Sequence, residues 1–142
     1  IKEGIPHDIV VEGAASYLMK NKKVDAIFAG ADRIVENGDT ANKIGTSSLS
    51  IIAKHYGIPF YIVAPTSSFD LNLKTGEQIE IELRNQNEIL KYKEHYIAHK
   101  NATALNPSFD VTDHSCITGI ICENGIIKPV TPENVRKVVE SK

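Results

Sequence analysis

An α/β fold, with a parallel sheet flanked by helices, is what this sequence predicts, and two features carry the prediction. The first is a pair of nearly unbroken apolar runs, "VDAIFAG" (24–30) and "PFYIVAP" (59–65). Such runs suit strands buried on both faces of a parallel sheet. The second is the alternation of strand and helix signals around them, β-α-β-α-β, which implies right-handed crossovers. A chain of 142 residues with 42% hydrophobic and 24% charged residues is long enough to bury one core of this kind.

The elements follow in order. "HDIVV" (7–11) reads as a short strand. "GAASYLMKNK" (13–22) places Ala14, Tyr17 and Leu18 at roughly helical spacing. After the strand over 24–30, "TANKIGTSSLSIIAKHYG" (40–57) reads as a helix with Thr40 as N-cap, and Gly57 with Pro59 as its stop signal. The strand over 59–65 follows. Alternation at Ile79, Ile81 and Leu83 suggests a peripheral strand. "ATALNPSFDVT" (102–112) reads as a strand and then a loop at Asn106-Pro107. Thr112 is placed to cap a helix over "DHSCITGIICEN", ended by Gly125. "IIKPV" forms a short strand, and "TPENVRKVVES" a closing helix with Thr131 as N-cap and Pro132 in the first turn. No repeat, low-complexity tract or linker divides the chain, so residues 1–142 are expected to form one domain. The opening "IKEGIPHDIVV" reads as mid-unit, which suggests a fragment or one chain of a cleaved protein.

Composition narrows the function. A net charge of -2 and a pI of about 6.2 give no strong pull toward nucleic acid. No apolar run approaches a membrane span. Cys116 and Cys122 fall in the expected 113–124 helix, six residues apart, and read as free cytosolic thiols. No histidine pairs with a cysteine at ligand spacing, so no metal site is expected. Neither a dinucleotide fingerprint nor a P-loop is present, so no cofactor is expected.

The stretch "GADRIVENGDTANKIGT" (30–46) carries the candidate chemistry. Asp32 follows an apolar strand, at the edge where ligands bind in open α/β sheets. Partial burial there would keep a fraction of it protonated near neutrality, as a general acid requires. A turn cap, or a pair with Arg33, is the plainer alternative. Asn42 and Lys43 fall in the first turn of the expected 40–57 helix, where free N–H groups and the dipole favour anions. A phosphorylated, hydroxyl-rich ligand suits that pair, although an ordinary helix start with a solvated lysine has the same pattern. Gly45 permits close approach to the helix. Asp70, in the Ser/Thr-rich loop "TSSFDLNLKTG", is a further candidate, and Asn106 and Asp110 read as turn and cap residues.

"GADRIVENGDTANKIGT", followed by "GIPFYIVAPTSSFDLNLKTGEQIEIELRNQNEI" and "NPSFDVT", resembles the carboxyl-terminal part of the methylthioribose-1-phosphate isomerase family, which shares its fold with ribose-1,5-bisphosphate isomerase and the regulatory subunits of translation initiation factor 2B. The resemblance covers nearly the whole chain but less than half of a complete member. It implies a Rossmann-like carboxyl-terminal domain of a larger two-domain protein, an aldose–ketose isomerase of methionine salvage. It makes Asp32 the catalytic proton donor and Asn42 and Lys43 substrate contacts, and it implies a cytoplasmic homodimer. The family's catalytic cysteine and its Arg-Gly-Ala phosphate loop belong to the amino-terminal half, and Cys116 and Cys122 do not match that cysteine. Glu12 stands where the family has Asp. Ribose-1,5-bisphosphate isomerase and a non-catalytic regulatory subunit are the alternatives. The Asp-Arg after Gly-Ala and the Ser-Ser-Phe-Asp-Leu tract favour the methylthioribose branch.

Overall fold

The computed structural model describes residues 2–141. In chain order its regular elements are α1 (Ala15–Lys20), β1 (Ile27–Ala29), β2 (Arg33–Val35), β3 (Thr40–Lys43), α2 (Thr46–Tyr56), β4 (Phe60–Val63), β5 (Phe69–Asp70), α3 (Asn87–Leu90), β6 (Lys91–Tyr92), β7 (His95–Tyr96), β8 (Phe109–Thr112), β9 (Gly119–Cys122), β10 (Gly125–Ile127) and α4 (Pro132–Val139). Two four-stranded sheets organise them. The first has the order β1-β4-β9-β10, and the second β5-β2-β3-β8, while β6 and β7 pair as a small hairpin.

The first sheet is the predicted parallel one. β1 runs parallel to β4, and β4 to β9, and β10 closes the edge antiparallel to β9. One face of it builds the core. Phe60, Ile62, Ile120 and Ile127 meet Met19 of α1, Ala53 of α2 and Val135 of α4, together with Ile34 from the second sheet. Each such fully buried side chain contributes on the order of 1.5–3 kcal/mol. The opposite face is bare among the described residues. Phe28 stacks on Tyr61 with ring centroids 5.4 Å apart, and Phe28 and Ile126 are each 63% exposed.

Several elements differ from the sequence expectation. Residues 7–11 form no strand. They run extended and exposed, with Ile9 96% exposed, because no strand of the described chain lies beside them to complete a ladder. The expected helix over 40–57 is a strand followed by a helix. Thr40 is not an N-cap but a fully buried strand residue opposite Thr112, and α2 begins at Thr46. The signal for this was Asn37-Gly38, a hairpin dipeptide. It turns β2 back onto β3, with Gly38 at φ 90°. Gly57, at φ 68°, ends α2 as expected. Residues 79–83 form no peripheral strand and contribute only one bridge, Leu83 to Pro107. The strand expected ahead of the Asn106-Pro107 loop is likewise absent, and β8 starts beyond Pro107 at Phe109.

The expected helix over 113–124 is replaced by a 3-10 turn and the β9–β10 hairpin. Thr112 ends β8, and Asp113 caps the turn by accepting from the Ser115 N–H at 2.7 Å. The β-branched Ile120 and Ile121 sit better beside β4 than on a helix. Cys116 and Cys122 therefore lie in different elements, and both are free. The closing helix is as predicted, with Thr131 accepting from the Asn134 N–H.

The two faces of the first sheet differ in packing, and conservative truncation should read that out. Ile120→Val should cost about 0.5–1.5 kcal/mol in urea unfolding. Ile126→Val, on the bare face, should stay within about 0.5 kcal/mol of the parent.

Candidate functional site

The second sheet carries the candidate residues, and a local irregularity aims the first of them. Arg33 is the register partner of Ala41, yet the Asp32 N–H also donates to the Ala41 carbonyl at 2.9 Å. Two residues of one strand thus face one of the other, the arrangement of a β-bulge, which re-aims a side chain. Simple alternation would send Asp32 and Arg33 to opposite faces. Instead both line one cavity of about 410 Å³, with Ala41, Phe109 and the segment 79–82 as its other walls. Asp32 stands three residues beyond the end of β1, in an exposed position. The partial burial expected from the sequence is not supplied by the described residues.

Asn42 and Lys43 are on β3, not in the first turn of a helix. As neighbours on a strand they point to opposite faces. The Asn42 amide donates to the Thr46 hydroxyl at 3.0 Å, and that hydroxyl donates to the Lys43 carbonyl at 2.8 Å. Lys43 is exposed and pairs in register with Phe109, on the cavity side of the sheet. Lys43 also lends charge to Glu88. The carboxyl of Glu88 is held below its ordinary range chiefly by hydrogen bonds from Arg84, against opposing burial, with a smaller contribution from Lys43.

The amino end of α2 is not open to an anion. Asp110, opposite Asn42 on β8, accepts from the Gly45 N–H at 2.8 Å and from the Ser47 N–H at 3.0 Å. Its carboxylate fills the place a phosphate would take. Gly45, at φ 106°, is in the left-handed region that favours glycine, and the Glu12 carboxylate lies against it. Asp110 is therefore a cap, as its residue type suggested, but one that acts across 65 residues of sequence. Asp70 pairs with Arg33 at 3.5 Å, beside the Asp32 cavity. The Asn106 amide donates to the Asn85 carbonyl, so Asn106 is a loop residue as expected.

Two further carboxylates had no signal in the sequence. Glu36 binds Arg136 of α4 through two contacts, at 2.8 and 3.1 Å, and also pairs with Lys74. The Arg136 guanidinium and then Lys74 hold its carboxyl below the ordinary 4.5. Burial pushes the Asp39 carboxyl up, but N–H groups of His114, Asn37 and Gly76 and the His114 ring together bring it below its ordinary 3.8.

The cavity is acid-rich. Asp32, Glu80 and Glu82 line it, and Arg33 is its one cation among the described residues. Such a lining suits hydroxyl groups better than a phosphate. These features define an α/β protein that presents a carboxylate, aimed by a bulge, in a walled cavity beside a half-covered parallel sheet. A model described as the Initiation factor 2 subunit family matches residues 1–129, and the chain belongs to that family. It is 47% identical to a methylthioribose-1-phosphate isomerase of Leptospira interrogans, over 99% of this chain and 42% of the relative. It is 49% identical to one of Caldicellulosiruptor saccharolyticus, over 98% of this chain and 41% of the relative. Among solved structures, 5-methylthioribose 1-phosphate isomerase from Pyrococcus horikoshii OT3 is similar with a TM-score of 0.91 and 45% identity, over 96% of this chain and 38% of that one. Translation initiation factor eIF-2B subunit delta from A. fulgidus also reaches 0.91, at 36% identity, over 99% of this chain and 41% of that one. The chain thus spans about two fifths of the length of these relatives.

Two outcomes follow. Asp110→Ala should destabilise the chain by about 1–2 kcal/mol, as loss of a cap does, and speed amide exchange at Gly45 and Ser47. The second concerns acid. A carboxyl whose folded pKa lies below its unfolded one stabilises above the unfolded value, and that contribution is lost as pH falls through the folded value. Glu36 and Asp39 are both lowered, so the urea midpoint should fall as pH drops below about 4.5. Glu36→Gln should flatten part of that fall.

Proposed function

We propose that this chain is the carboxyl-terminal domain of a methylthioribose-1-phosphate isomerase, which converts 5-methylthioribose 1-phosphate to 5-methylthioribulose 1-phosphate. The observation that carries the reading is Asp32, turned by the bulge into a cavity walled by residues 79–82. The identity of 47–49% to relatives of that name supports it. The substrate's ring is locked by its C1 phosphate and cannot open through a free anomeric hydroxyl. Asp32 delivers a proton to the ring oxygen as its bond to C1 breaks, one hydrogen passes from C2 to C1, and the C2 hydroxyl gives up its proton, which restores the acid and leaves the ketose. A positioned proton donor of this kind contributes roughly 100- to 10,000-fold.

The acidic cavity receives the hydroxyl-bearing part of the sugar. The phosphate lies outside it, held by Lys43 and by cations of the amino-terminal half. Asn42, tied to Thr46, fixes the strand from which Lys43 reaches. The amino-terminal half also supplies a second catalytic group and covers the bare face around Phe28, Tyr61 and Ile126. The working protein is a cytoplasmic homodimer. No described helix is long and apolar enough to cross a membrane.

A non-catalytic subunit is the second reading, favoured by the equal TM-score of the A. fulgidus initiation-factor structure. Activity separates the two. The 142-residue chain alone should be silent with methylthioribose 1-phosphate, and mixing with the amino-terminal half should restore turnover followed by phosphorus NMR. Failure of any combination to turn over would leave the regulatory reading standing. In the restored enzyme, Asp32→Asn should lower kcat by at least about 100-fold with the fold intact. Lys43→Ala should mainly raise KM, and a collapsed kcat at unchanged KM would give it a transition-state role instead.

A further inference from the structure

We propose that Asp39 is a positioning residue, which through Gly76 fixes the 79–82 wall of the Asp32 cavity. The proposal rests on the isomerase reading for its substrate, but its structural half stands on geometry alone.

Asp39 lies outside that cavity, and its side chain is only 14% exposed. Its two oxygens join three separate parts of the chain. One accepts from the His114 N–H at 2.9 Å and meets the His114 Nδ1 at 2.8 Å, beyond β8. The other accepts from the Asn37 amide at 2.8 Å, within the β2–β3 turn, and from the Gly76 N–H at 2.9 Å. An aspartate needed only for the turn would use Asn37 alone.

Gly76 begins the segment that becomes the wall. A Cβ there would lie 2.5 Å from Val111 Cγ1 and 2.9 Å from Asp39 Cβ, so the segment presses directly on the sheet. Three residues later Ile79 lines both the Asp32 cavity and the neighbouring one that holds Asp39 and His114. At the far end, the Ser108 N–H donates to the Glu82 carbonyl at 3.0 Å. Between these anchors, residues 80 and 81 make no backbone hydrogen bond among the described residues. The wall is a span held at its two ends, and Asp39 holds one of them. Glu80 and Glu82, which face the sugar in this reading, inherit their position from it.

The test uses two variants from opposite sides of the same contact, Asp39→Asn and Gly76→Ala, with Thr131→Ala as a remote destabilising control. In this chain, exchange of the two amides that tether the wall, Ile79 bonded to the Gly76 carbonyl and Ser108 bonded to the Glu82 carbonyl, should rise at least about 10-fold in both variants, beyond any change in global stability, and not in the control. Unchanged exchange in either variant that folds overturns the anchoring. In the chain joined to its amino-terminal half, kcat/KM for methylthioribose 1-phosphate should fall roughly 10- to 100-fold, mostly through KM. A loosened wall with unaltered kinetics overturns the positioning role. Absence of turnover in the unsubstituted protein overturns the isomerase reading instead, and the exchange result still decides the anchoring.

Discussion

The carboxylate of Asp110 is the contact on which the arrangement of the molecule depends. It stands on β8 in the second sheet, and it takes the first free N–H groups of α2, the helix that packs on the first sheet. A single charged group on the second sheet therefore holds the start of the helix that covers the first. Removing the N–H groups from solvent without a partner would cost on the order of 1–3 kcal/mol for each group. Gly45, pressed against Glu12 and held at φ 106°, allows the chain to leave β3 and enter the helix within three residues. The strand that carries Asn42 and Lys43 is thereby tied to the start of the helix that covers the core.

This contact also decides where charge is available. With the amino end of α2 occupied, the helix offers no site for a phosphate, and the cation on this part of the sheet is Lys43. The acidic cavity around Asp32 lies on the other side of β3 from the Asn42–Thr46 contact. Lys43 and the acidic cavity thus share one face of β3, while Asn42 on the other face ties the strand to α2. A helix-first reading of residues 40–43 puts Asn42 and Lys43 together in one turn, where the strand sends them to opposite faces.

β1 and β4 of the parallel sheet were legible because their signal is local: two apolar runs, each long enough to declare itself. The closing helix was legible for the same reason, through Thr131 and Pro132. The second sheet was not, since its strands are two to four residues long and take their stability from partners far along the chain, as Thr40 does from Thr112. Asn37-Gly38 was the one local clue to it. Residues 113–124 misled because Ile117, Ile120 and Ile121 satisfy helical spacing as well as a buried strand. Asp32 was found as a residue type after an apolar run, but its direction depends on a bulge that no pattern of types encodes. Asp39 and Glu36 were invisible because their partners, His114 and Arg136, lie 75 and 100 residues away.

The two sheets are interleaved in the chain. Strands at 27–29, 60–63, 119–122 and 125–127 build one, and strands at 33–35, 40–43, 69–70 and 109–112 build the other. Neither is a contiguous segment, and each waits for a strand from the last third of the chain. During synthesis the β2–β3 hairpin and α2 have their local partners early, while both sheets are completed only once β8 to β10 have emerged. A truncation before β8 removes the outer strand of the second sheet, two strands of the first and the carboxylate that caps α2, so such a product should be open to degradation as a whole rather than persist as a half-built domain.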